Sequence, residues 1–193
     1  MRAPIAPFLV AVLVFIGGNA CKENPTPDSE PRPENEAATA EESTSILLIT
    51  SPDLTAAWEP FAEWKASRGK GTTIISTADI AEDYEGPDLQ EKIRRCVRDH
   101  VDNMGSKWII LGGDSSPNGE GVVPDRDTIH TAFGRTNHHI PTDIFYLSET
   151  DWDADDDGIF GEFEDDSAEI SYPDGSVGLG RIPVRTAEDV TAY

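Results

Sequence analysis

Between Asp153 and Glu164 the chain reads Asp-Ala-Asp-Asp-Asp-Gly-Ile-Phe-Gly-Glu-Phe-Glu. Carboxylates fall at the first, third and fifth positions, a glycine at the sixth and a glutamate at the twelfth. That spacing suits a hard divalent cation. Calcium takes six to eight oxygens, and a loop of this pattern wraps carboxylates around one ion. Asp153, Asp155, Asp157 and Glu164 are the expected side-chain ligands, the carbonyl of Ile159 supplies another oxygen, and Gly158 permits the sharp turn. Asp151, Glu162, Asp165 and Asp166 stand close enough to replace any of them. Aromatic, proline and glycine residues flank the loop instead of two long helices, so the expectation is an EF-hand-like calcium loop set between strands, structural in role. A solvated acidic loop is the alternative. Repulsion weighs against it, because Asp151–Glu169 holds seven aspartates, three glutamates and no Lys or Arg.

Nucleophilic chemistry has fewer candidates. Cys96 lies on the apolar stripe of a helical pattern, where a buried, inert thiol is expected despite the nearby Arg94, Arg95 and Arg98. His100 follows at i+4, but a pair on one helix provides no oxyanion site. His138-His139 stand in a polar stretch read as a loop. Leu111-Gly112-Gly113-Asp114-Ser115-Ser116 closes a strand, a place where parallel sheets carry function. It lacks the Gly-Lys-Ser/Thr of a phosphate loop, and a tight turn with Asp114 capping local backbone groups is the expected reading.

The elements that must position these residues begin at Ile46. Ile46–Thr50 is a continuous apolar run ending at Ser51-Pro52, which suits a strand buried on both faces. A helix follows, with Asp53 as its expected cap and Trp58, Phe61, Ala62 and Trp64 as its apolar stripe. Thr72–Thr77 is β-branched and predicts a strand, Asp88–Val101 a helix, and Lys107–Leu111 a third strand. Further on, Val122–Pro124 reads as a short edge segment, Ile144–Leu147 as a strand, and Ser176–Pro183 as a return to the sheet. Thr186 caps a last helix, with Asp189 at its third position. Alternation of strand and helix over short connections implies right-handed crossovers and a mainly parallel sheet flanked by helices.

The 193 residues include 15 Lys+Arg and 37 Asp+Glu, a formal net charge of −22. This balance excludes nucleic acid as a partner and argues against a basic face held to anionic lipid. Residues 1–20 carry Arg2, the apolar run Phe8–Ile16 and the small residues before Ala20, the layout of a signal peptide. Cleavage after Ala20 leaves Cys21 first. Residues 21–45 form an acidic, proline-rich tether with four prolines and seven acids between Lys22 and Ser45, and with no aromatic or large aliphatic residue to bury. Residues 46–193 are the folded part. An exported protein is expected, either secreted or held in the outer membrane or cell envelope.

Cys21 at the cleavage point resembles the acylated cysteine of a bacterial lipoprotein, which would bring a membrane as partner. In the folded part, ILLITSPDL, WIILGGDSSPNGEGVVPDR, PTDIFYL, DGIFGE and GRIPVRT, in that order, resemble the gingipain-type cysteine peptidases of family C25. The resemblance implies a caspase-like α/β fold and peptide-bond cleavage by a Cys nucleophile with a His partner, acting on a protein or peptide substrate. In that family the His and Cys follow the segment resembling GRIPVRT. No residue of this chain is therefore assigned a catalytic role, and the chain is expected to be the N-terminal part of the peptidase domain. A calcium-stabilised surface binding module without catalysis is the competing expectation.

Overall fold

The computed structural model describes residues 44–116, 121–132, 135–162, 166 and 175–193, with side chains for all of these except 44, 130–132 and 135–139. They fall within the unit Thr39–Tyr193. Cys21, Glu164 and Asp165 lie outside the described residues.

Strand β1 (Thr44–Thr50) begins two residues ahead of the expected start at Ile46 and is the centre of the fold. Its Ile46, Leu47, Leu48 and Ile49 are 0–3% exposed, so both faces of the strand are covered, which is why it reads as an unbroken apolar run. Helix α1 (Thr55–Ala66) returns the chain to β2 (Gly71–Ser76). Asp53 does not cap α1. It sits in a 3-10 turn, Pro52–Leu54, leaving Leu54 at the N-cap without a side-chain bond. The buried stripe of α1 centres on Trp58, with Phe61 against it, whereas Trp64 is exposed. Gly69, at φ +73°, takes the left-handed conformation that ends this helical segment.

The expected strand to Thr77 stops one residue short, because Ser76 caps a helix that periodicity did not reveal, α2 (Thr77–Asp83). Ser76 Oγ accepts from the Asp79 amide and the Asp79 carboxylate accepts from the Ser76 amide, a reciprocal cap. Helix α3 (Leu89–Asn103) follows, capped by Asp88, and leads into β3 (Trp108–Gly112). Strand β6 (Gly178–Ile182) then pairs with β3, and α4 (Ala187–Thr191) opens on the expected Thr186–Asp189 cap.

The four strands form a parallel sheet in the order β2-β1-β3-β6. One face carries Leu47, Ile49, Ile109 and Leu111 against α2 and α3. The other carries Leu48 against Trp58 of α1 and Val190 of α4. The chain leaves β1 first to one side and then to the other, so the sheet has its topological switch point between the C-terminal ends of β1 and β3.

Two expectations fail in the stretch after β3. Ile144–Leu147 is a 3-10 helix, not a strand, and buries Phe145, Tyr146 and Leu147 in succession. A short apolar run has no periodicity to separate these outcomes. Val122–Pro124 is bent chain instead of a strand. The polar stretch around His138-His139 is no loop either. It belongs to an antiparallel hairpin of β4 (Arg126–Ala132) and β5 (Arg135–Thr142). Its strands lack the apolar alternation that signals a half-buried sheet.

Candidate functional site

At the switch point the C-terminal ends of β1 and β3 are joined by side chains. Thr50 Oγ1 donates to the Gly112 carbonyl, and Trp58 Nε1 donates to Thr50 Oγ1 at 3.3 Å. Trp58 packs so closely on Gly112 that a Cβ there would lie 2.9 Å from the indole. Beyond the strand, Asp114 closes the expected turn. Its carboxylate accepts from the Val122 amide at 3.3 Å and its carbonyl from the Val123 amide at 3.1 Å. It also holds the Arg185 guanidinium, tying the β3 end to the segment after β6.

Arg181 does more at this edge than any residue singled out from the sequence. From β6 it grips the Asp143 carboxylate with Nε at 2.9 Å and Nη2 at 2.6 Å. Its Nη1 donates to the carbonyls of Gly113 and Val123 at 2.8 and 2.7 Å, and Nη2 reaches the Pro124 carbonyl at 3.2 Å. The clamp joins two of the segments that carried the family resemblance, since Asp143 belongs to PTDIFYL and Arg181 to GRIPVRT. The guanidinium's planar fork suits this combination of carboxylate and carbonyls. Only the proximity of the two motifs in space, not their spacing in sequence, reveals it.

Cys96 is 0% exposed, and burial pushes its thiol up to about 12. Such a thiol is not a nucleophile at neutral pH. His100 is also buried, its Nδ1 has no hydrogen-bond partner, and burial lowers its pKa below 6.5. The pair lies on α3, on the core side of the sheet, and the core reading of Cys96 holds.

The acidic loop is built around three carboxylates that bind backbone. Asp153 accepts from the amides of Asp157 at 2.9 Å and Gly158 at 3.1 Å, and Asp157 accepts from the Ile159 amide at 2.8 Å. Asp166, 0% exposed, accepts from Ala154 at 2.7 Å and Glu162 at 2.9 Å, so it staples the two ends of the loop. Gly158 takes φ +82°, the turn that the pattern requires. One oxygen each from Asp153, Asp155 and Asp157 lies within 4.8 Å of the others. Calcium–oxygen bonds of 2.3–2.6 Å span such a set, so the described donors fit a hard cation.

The loop is anchored through Phe160. Its ring centroid lies 3.8 Å from the Arg126 guanidinium carbon, and the Phe145 ring centroid lies 4.4 Å from it. Arg126 in turn makes a bidentate pair with Asp88 at 2.8 and 2.9 Å, and Asp88 caps α3 through the Glu91 amide. Burial alone would raise the Asp88 carboxyl. Arg126 and the backbone amides outweigh it and hold the group below its ordinary value. Glu91 shows the same balance, with burial opposed by Arg94 and Arg95.

The sequence model of peptidase family C25 matches residues 39–193. Among solved structures, dimeric latent PorU from Porphyromonas gingivalis is similar at a TM-score of 0.52 and 14% identity, over 77% of this chain and 15% of that one. A structure described only as a protease is similar at a TM-score of 0.45 and 14% identity, over 76% of this chain and 25% of that one. This chain thus spans a quarter or less of either structure's length. No curated protein matches it in sequence. The family match covers the parallel sheet, the arginine clamp and the acidic loop together, and on that ground the chain belongs to peptidase family C25.

Proposed function

We propose that this chain is the N-terminal portion of an exported, gingipain-like cysteine endopeptidase. In this reading the Cys and His that hydrolyse the peptide bond follow residue 193, and the substrate is a protein or peptide. The family match over residues 39–193 carries the reading. The position of Cys96 agrees with it, because the described cysteine is a core residue and the nucleophile must come from elsewhere. The test is peptide hydrolysis by the protein encoded by the complete natural reading frame. Turnover that is abolished by thiol alkylation is the expected result. A complete protein without such turnover overturns the assignment and leaves a non-catalytic, calcium-stabilised surface module.

The metal proposal stands on separate ground. Asp153, Asp155 and Asp157, joined by the Ile159 carbonyl and Glu164, would hold one structural Ca²⁺, supported by the fit of the three described carboxylates. Isothermal titration of the chain with Ca²⁺ should give heat and a raised Tm, both lost in Asp153→Asn/Asp155→Asn. No heat and no thermal shift would sink it. Acylation at Cys21 would anchor the exported chain to a membrane. Mass spectrometry of the envelope fraction should show a lipid-modified Cys21 peptide, and an unmodified, secreted chain would favour plain signal cleavage.

A further inference from the structure

At the edge of the parallel sheet opposite the switch point, β1, β2 and β3 start side by side, with Ile46 paired to Thr72 on one flank and to Trp108 on the other. Helices α1 and α3 end at this edge and bring Trp64 and Met104 to it. Five large apolar side chains are exposed among the described residues, and three of them are here: Trp64 at 48%, Met104 at 46% and Trp108 at 53%. The same edge gathers cations. Lys65 stands in the last turn of α1, Arg68 and Lys70 in the connection to β2, and Lys107 immediately before β3. None of the four holds a carboxylate among the described residues, whereas Arg94, Arg95, Arg98, Arg126, Arg181 and Arg185 each hold one. Lys65 and Arg68 instead lie over the Trp64 ring, 4.6 and 4.7 Å from its centroid. Lys65, Lys70 and Trp108 line one open groove of about 400 Å³ with Ile46, Leu179 and Gly180.

Exposed indoles interleaved with lysine and arginine suit the headgroup layer of a bilayer. There an indole buries its ring and keeps its N–H wet, and a cationic stem lies along apolar surface with its charge at the phosphates. We propose that this edge seats on an anionic phospholipid surface, with Trp64, Met104 and Trp108 in the headgroup layer and Lys65, Arg68, Lys70 and Lys107 against the phosphates. The chain-wide excess of acid does not forbid it, because exposed charges more than about 8 Å away are largely screened at physiological ionic strength. Locally the balance is reversed. Between residues 63 and 70, Glu63 is the one acid against Lys65, Arg68 and Lys70. On α3, Asp99 accepts from Asn103 and Tyr84, and Asp102 pairs with Arg98. Composition hides the face because its cations come from the end of one helix and the approaches to two strands. β1 begins at this same edge, so the chain preceding Thr44 joins the fold on the side that meets lipid. The switch-point end, with Asp114 and the Arg181 clamp, is turned away from it. The proposal goes beyond the peptidase reading and depends neither on it nor on acylation of Cys21.

The test is indole fluorescence of the full chain with vesicles of phosphatidylglycerol and phosphatidylethanolamine brominated near the headgroup, which quench an indole only on contact. Trp64 and Trp108, resolved through Trp64→Phe and Trp108→Phe, should be quenched, while Trp58 and Trp152, 1% and 3% exposed, should not. Capture of the vesicle by the apolar run Phe8–Ile16 alone leaves all four indoles unquenched, so it does not imitate this result. Arg68→Glu/Lys70→Glu/Lys107→Glu, at three exposed positions, should raise the lipid concentration needed for quenching by at least about tenfold. Neutral phosphatidylcholine vesicles should weaken the quenching of the unaltered chain similarly, a comparison that requires no substitution. Absence of quenching by the anionic vesicles overturns the proposal, and so does equal quenching by the neutral ones. If Trp64 and Trp108 are shielded from aqueous acrylamide in the protein encoded by the complete natural reading frame, a protein surface covers this edge and the proposal is likewise overturned.

Discussion

Leu47, Ile49, Ile109 and Leu111 lie 0–1% exposed in one apolar cluster that also takes in Phe145, Tyr146 and Leu147 of the 3-10 segment, whereas the hairpin and the acidic loop are tied to the fold through Arg126, with Arg181 and Arg94 holding the two ends of the 3-10 segment. The sheet takes its strength from area removed from water, which is non-directional and nearly indifferent to pH and salt. The hairpin and the acidic loop depend more on placed charges, each of which must find its partner and remain ionised. The two regions should therefore fail under different conditions.

The largest effect belongs to the sheet. Trp58 is 1% exposed and fills the space over Gly112 and Thr50, so Trp58→Ala should cost about 3–5 kcal/mol, read as a lowered urea midpoint. Arg126→Met should cost less, about 2–3 kcal/mol. It breaks the pair with Asp88 but keeps apolar volume against the Phe145 and Phe160 rings. The contrast is sharpest by hydrogen exchange. Arg126→Met should leave β1 protected and expose 126–132 and 152–162, and equal loss in both would merge the regions.

Acid should separate them further. The Asp88 and Glu91 carboxyls sit below their ordinary values in the folded chain, so the unfolded chain binds protons first as the pH falls through about 4. Their stabilisation is complete above that point and is lost as the pH drops through the folded values. Arg126→Met should flatten the Asp88 part of this slope. His100, lowered by burial, acts in a higher window. The unfolded chain takes up its proton below about pH 6.5 while the folded chain does not, so stability declines from there downward. His100→Gln should remove that decline without touching the one near pH 4. The smallest effect is expected at the half-open Arg98–Asp102 pair, where Arg98→Ala should change stability by at most about 0.5 kcal/mol.

Legibility in the sequence follows the same division. β1, β3 and α3 are apparent because burial imposes a pattern on residue type, a continuous run in one case and a 3.6-residue stripe in the other. The loop carboxylates are apparent because they recur at fixed spacing around a glycine, and the structure brings Asp153, Asp155 and Asp157 together. Arg126 and Arg181 are not apparent. An arginine clamp leaves no local period, since its partners lie 38 or more residues away, as with Arg181 and Asp143 or Gly113. The hairpin is hidden for a related reason, its strands having polar residues that no buried face selects. Helix α2 could have been found, because Ser76-Thr77-Ala78-Asp79 carries the capping signal within what read as the end of a strand.

Among the described residues β2 and β6 each have a strand neighbour on one side only. Their outer backbone groups are a template on which a second molecule can add a strand. Colloidal repulsion guards against this, since molecules carrying −22 each keep their distance. Near the isoelectric point of about 4.3 that repulsion disappears, and the acid-sensitive region loosens over the same interval. Mild acid is therefore the condition in which the isolated 193-residue chain should self-associate through these sheet edges, as a β-rich precipitate and not a clear solution of unfolded chains.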